Sequence, residues 1–86
     1  MNEIRNYNYD QRNDIFYLHF LNDKGDSYAD EQAPGVFVMK DIETDETTGL
    51  TVFFPKAKFV DQSRAMTTLG FTKELTKMNE CVMAFA

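Results

Sequence analysis

Asp14-Ile15-Phe16-Tyr17-Leu18-His19-Phe20, then Val36-Phe37-Val38-Met39-Lys40-Asp41, then Gly49-Leu50-Thr51-Val52-Phe53-Phe54, are the runs that decide the fold. In the first, Phe16, Leu18 and Phe20 recur with a period of two, so they share one face of a strand running from Asp14 to Leu21. That face is wholly apolar and is assigned to a core. Ile15, Tyr17, His19 and Leu21 fall on the opposite, mixed face, as happens where a sheet is only partly covered. In the second run Val36 and Val38 oppose Phe37 and Met39. In the third, a strand from Thr48 to Phe54, Leu50, Val52 and Phe54 oppose Thr51 and Phe53, and Pro55 ends it.

The segments between these runs have turn chemistry. Asp10-Gln11-Arg12-Asn13, Asn22-Asp23-Lys24-Gly25-Asp26 and Glu43-Thr44-Asp45-Glu46-Thr47 supply Asp, Asn and Gly where the backbone must reverse. Ile4 to Tyr9 reads as a polar strand and therefore as an edge. Ser27 to Glu31 reads as a short strand, and Pro34 as an edge or a strand start, because it cannot donate to a ladder. Consecutive strands with short connections predict an antiparallel meander of three to five strands, with the Phe16 strand at its centre.

From Asp61 the pattern changes to helix formers at helical spacing. Asp61 or Ser63 is the expected cap of a helix carrying Ala65, Met66 and Leu69, with Gly70 ending it. Thr72 is the expected cap of a second helical segment carrying Leu75 and Met78. The uncharged end, Cys81 to Ala86, fits either a continued helix or a terminal strand, and is too apolar to leave in water. The expected class is α+β in one domain of 86 residues, with a sheet over residues 1–60 and a helical segment over 61–86 packed on one face.

Composition narrows the function classes. Hydrophobic residues make up 43% and aromatics 14%, enough for a core, so disorder across the middle is not expected. The net charge of −5 disfavours nucleic acid, whose phosphates need clustered Lys and Arg; only Lys56, Lys58 and Arg64 approach a cluster. An acidic surface instead suits docking on a basic protein. Cys81 is the one cysteine, which excludes an internal disulfide and a cysteine-based zinc site. No signal-peptide pattern and no apolar run of about 20 residues is present, so no membrane span and a cytoplasmic location are expected.

At this point the middle of the chain resembles a small bacterial family catalogued as domain of unknown function 2283. The resemblance covers residues 7–59 and is carried by Tyr9-Asp10, Asp14 through Phe20, Glu31, Pro34-Gly35-Val36, Val38 to Asp41 and Gly49-Leu50-Thr51-Val52. Two departures are visible: the turn after Asp41 is longer than the family's, and Thr51 stands where the family has an acidic residue. The resemblance implies a small antiparallel sheet with helical cover. It also implies that some relatives stand beside small toxin-like proteins as antitoxins, and it implies no established activity.

Each candidate chemistry is outweighed by a structural reading of the same residues. His19 has no partner spacing that would make it a general base. Cys81, with His19 as base, would make a nucleophile, but its apolar surroundings read as packing. Asp41, Glu43, Asp45 and Glu46, and likewise Asp23, Asp26, Asp30 and Glu31, carry oxygen ligands without the spacing of a calcium loop, so they read as solvated turns. Asp10 and Asp14 read as bonding to their own turn rather than as a glycosidase pair. No phosphate loop, cofactor motif or catalytic constellation remains, and the expectation is a protein that is not an enzyme and binds no cofactor. A thin layer over one sheet face predicts a homodimer or a protein partner, with Tyr17, His19, Phe37, Met39 and Phe85 as interface candidates. The alternatives are a ligand-binding protein or small enzyme using Tyr17 and His19, and a structural accessory subunit.

Overall fold

The computed structural model describes residues 3–84. It has five strands, β1 (Ile4–Asp10), β2 (Ile15–Phe20), β3 (Ser27–Ala33), β4 (Val36–Asp41) and β5 (Thr47–Phe53), followed by α1 (Phe59–Thr68) and α2 (Thr72–Ala84). All neighbouring strands are antiparallel, so the α+β expectation holds.

The strand order is β1-β2-β5-β4-β3. This differs from a sequential meander: β5 takes the central place, β2 is interior beside it, and β2 does not pair with β3. The physical reason lies in the side chains. Val52 stands between Phe16 of β2 and Val36 of β4, and Leu50 stands between Leu18 and Val38. With β5 inserted, the three strands with the most apolar inward faces stack into continuous rows. The polar strands β1 and β3 are left as edges, where unpaired backbone meets water and charged side chains discourage further pairing. Residues 21–26 cross the end of the sheet to reach the outer edge.

Pro34 is neither an edge nor a strand start. With Gly35 it forms the two-residue turn between Ala33 and Val36, and Gly35 has φ +78°. Proline followed by a residue of positive φ suits a type II turn. The gap between β2 and β5 is also tight: a Cβ on Gly49 would run into the carbonyl oxygen of Leu18.

Both helices lie on the face of Phe16, Leu18 and Phe20, and Met66, Met78 and Val82 complete the core. α1 starts at Phe59, two residues before the earliest cap expected, and Lys58 supplies no side-chain cap. Its end matches expectation. Gly70 has φ +87°, its N–H donates to Thr67 O, and the Phe71 N–H reaches back to Met66 O at 2.8 Å. These two bonds satisfy the last carbonyls in the manner of a Schellman motif. Cys81 to Ala84 continue α2; Phe85 and Ala86 lie outside the described residues.

Candidate functional site

Among the described residues, no helix packs on the sheet face away from α1 and α2. Across it run the rows Tyr17–Thr51–Phe37 and His19–Gly49–Met39. Tyr17, Phe37 and Met39 are half-buried by their neighbours alone, and His19 is exposed. Phe53 extends the aromatic group: its ring centroid is 5.3 Å from that of Phe37 and 6.3 Å from that of Phe54.

Phe54 departs from the alternation read in the sequence, which would place it inward with Leu50 and Val52. Its φ of +62° turns the chain out of the strand, and 48% of the residue is exposed. The turn is held by a bond from Phe54 N to Asp14 O at 2.7 Å and one from Lys58 N to Phe54 O at 2.9 Å. The result is an aromatic patch at the Pro34 and Pro55 end of the open face. Four of the five interface candidates, Tyr17, His19, Phe37 and Met39, lie on this face; Phe85 falls outside the described residues.

The other end of the sheet is acidic. Ile42 N donates to Asp26 O at 3.0 Å and Asn22 Nδ2 to Thr47 O at 3.2 Å, which joins the 21–26 loop to the 42–46 turn. Asp23, Asp26, Asp41, Glu43, Asp45 and Glu46 therefore share one end, whereas Asp30 pairs with Lys40 along the β3–β4 edge and Glu31 accepts from Gly35 N toward the other end. The Asp41 and Asp23 carboxylates are engaged in turn geometry. Asp41 accepts from Glu43 N at 2.8 Å and Thr44 N at 3.1 Å, and these bonds hold its pKa below the usual range. Asp23 accepts from Gly25 N at 2.9 Å and pairs with His19 Nδ1 at 2.8 Å; the Gly25 bond and then the histidine contact lower its pKa. Among the described residues no group of three or more His, Cys, Asp or Glu could hold a metal ion.

The remaining sequence candidates fall into structural places. Asp10 accepts from Arg12 N, Asn13 N and Asn13 Nδ2, and the Asn13 bonds lower its pKa. Asp14 binds the Tyr9 hydroxyl and the amides of Lys56 and Ala57. Cys81 packs against the core on the helical side, where burial pushes its thiol pKa up, whereas His19 lies on the open face. The two are not brought together. The cavities between Tyr9 and Ala57, between Asn22 and Glu74, and between Pro34 and Gln62 include neither Tyr17 nor His19.

Two buried polar residues were missed. Gln62 of α1 donates from Nε2 to Phe53 O at 2.6 Å and to Pro34 O at 3.4 Å. Glu74 of α2 is only 6% exposed. Glu74, Met78 and Val82 are spaced i, i+4, i+8, which is the signal that places Glu74 on the buried stripe.

The chain matches no protein-family model, no curated protein and no solved structure.

Proposed function

We propose that this chain is a non-catalytic protein-binding module that docks its partner on the open sheet face. The observation that carries this reading is the aromatic patch of Phe37, Phe53 and Phe54 on a face with no helical cover. Exposed, adjacent aromatic rings are the material of interface anchors, because they bury large area at low side-chain entropy cost.

Charge supports a basic partner. Residues 1–55 hold four basic and eleven acidic side chains, a net of −7, against five basic and three acidic, a net of +2, in residues 56–86. A basic chain would thus be steered to the sheet rather than to the helices. The wider role that fits is an acidic cytoplasmic partner that neutralises a small basic protein. Self-association is the second reading. It is supported by the aromatic patch itself, which two copies would bury against each other. Chemistry at Tyr17 and His19 has less support, since His19 is exposed, its Nδ1 faces Asp23 and no cavity described above includes either residue.

The test is a pull-down from the native host with the wild-type chain and with Phe53→Ser/Phe54→Ser. A basic protein recovered by the wild type and lost from a variant of unchanged melting temperature is the expected result. Equal recovery by both, or recovery by neither, overturns the reading. Light scattering of the purified chain separates the second reading: a mass of 10.0 kDa across micromolar dilution removes the homodimer.

A further inference from the structure

Glu74 is the least explained side chain in the fold. Its place in the first turn of α2 suits the helix dipole, and the residue as a whole is only 6% exposed. It makes no hydrogen bond or ion pair with another described residue.

The side chain lines an open cavity of about 540 Å³ at the seam between sheet and helices, together with Phe20, Asn22, Glu46, Thr47, Gly70 and Phe71. Asn22 lines the cavity too, but its Nδ2 is committed to Thr47 O and its Oδ1 has no surface open to it. The cavity therefore gathers two acidic residues, Glu74 and Glu46, with Phe20 and Phe71 as apolar walls. Lys and Arg are absent from its lining.

We infer that this cavity binds an organic cation, a guanidinium or primary ammonium group. Such a group supplies several N–H donors at once, which suits two acidic side chains lining one space. The phenylalanine walls suit a cation as well, through the negative faces of their rings. A hard metal ion is a poorer match, because it asks for more carboxylate or carbonyl oxygens than the cavity gathers. The site lies at the acidic end, away from the aromatic patch, so it stands or falls independently of partner docking on the open face. The cation is either a free small molecule or an arginine or lysine side chain of a protein.

The experiment is amide-shift titration by NMR with agmatine, n-butylammonium, acetyl-Gly-Arg-Gly-amide and the neutral control N-butylurea. Saturable shifts at Asn22, Glu46, Phe71 and Glu74 with the cations, and none with the urea, are expected. Glu74→Gln, which keeps the shape and removes the charge, is expected to weaken binding at least about tenfold, as loss of a charge-assisted bond does. Glu46→Gln at the rim is expected to weaken it by less, and serves as the second variant if Glu74→Gln disturbs folding. Stronger binding of the peptide than of agmatine assigns the cation to a protein side chain; the reverse assigns it to a free small molecule. Absence of shifts, equal binding of the urea, full binding to both variants, or displacement of agmatine by millimolar Ca²⁺ overturns the inference.

Discussion

The Tyr9 hydroxyl donates a 2.6 Å hydrogen bond to the carboxylate of Asp14, and the same carboxylate receives the amides of Lys56 at 3.1 Å and Ala57 at 3.3 Å. One side chain from the β1–β2 turn thereby ties the edge hairpin to the segment that enters α1. It also does this from a left-handed backbone, with φ +54°.

Asp14 therefore carries two separable effects. Asp14→Gly removes the carboxylate but relieves the backbone, and is expected to cost about 1–3 kcal/mol in urea unfolding. Asp14→Ala loses the same bonds and keeps an unfavourable φ, so it is expected to cost a further ~1 kcal/mol or more. Equal stability of the two variants would show that the left-handed backbone is not retained at this position.

The same contact gives the fold an alkaline limb. Burial, then the bond to Asp14 and the nearby negative charge, push the Tyr9 phenol up to about 12 from its ordinary value of 10.0. Between those values the folded chain holds a proton that the unfolded chain has released. The contribution of Tyr9 is complete below pH 10, and it declines as pH rises toward 12. Urea midpoints of the wild type are expected to fall over that range more steeply than those of Tyr9→Phe. Parallel curves would remove Tyr9 as the cause.

How much of this was legible in the sequence depended on the distance over which each cause acts. The inward rows Phe16–Val52–Val36 and Leu18–Leu50–Val38 follow from period two alone, because pleating is a local property of each strand. The insertion of β5 between β2 and β4 is a pairing choice among strands and leaves no mark in any single run. The start of α1 was placed late for a similar reason. Asp61 and Ser63 were the nearby capping types, but the amides just ahead of the helix are met by Asp14, more than 40 residues earlier in the chain. Of the candidate surfaces, the open face was legible from Tyr17, Phe37 and Met39. The cavity beside Glu74 was not, since its lining joins Asn22, Glu46 and Glu74 from three separate segments.

Three turn carboxylates give the opposite pH limb. Asp41, Asp23 and Asp10 all have pKa values held below the ordinary carboxylate value by bonds from turn amides and side chains. As pH falls, the unfolded chain takes up these protons first, near pH ~3.9. The stabilisation is therefore complete above that value and is lost as pH falls through the lower folded values. Asp41→Asn keeps an acceptor oxygen for Glu43 N and Thr44 N but cannot titrate. It is expected to lose less stability than the wild type between pH ~4 and pH ~2, as followed by circular dichroism during urea unfolding. An identical acid limb in both proteins would assign it to other carboxylates.

Gly35 and Gln62 are coupled by space rather than by charge. A Cβ on Gly35 would stand 2.7 Å from Gln62 Nε2 and 2.9 Å from Phe53 O, the two atoms that bond to each other when α1 docks on the turn. Gly25 shares the left-handed backbone, with φ +94°, but has open space around it. Gly25→Ala is therefore expected to cost only the backbone term, about 1–2 kcal/mol. Gly35→Ala adds the displacement of Gln62 or of the Phe53 carbonyl, and is expected to cost ~1–3 kcal/mol more. In a Gln62→Ala background one of the two obstacles is gone and the bond to Phe53 O is already lost. Gly35→Ala should then cost less than it does in the wild type, a non-additivity that a double-mutant cycle reads directly. Additive costs would mean that α1 does not hold the Pro34–Gly35 turn through Gln62, and that the strain at Gly35 is set by its own backbone and the Phe53 carbonyl.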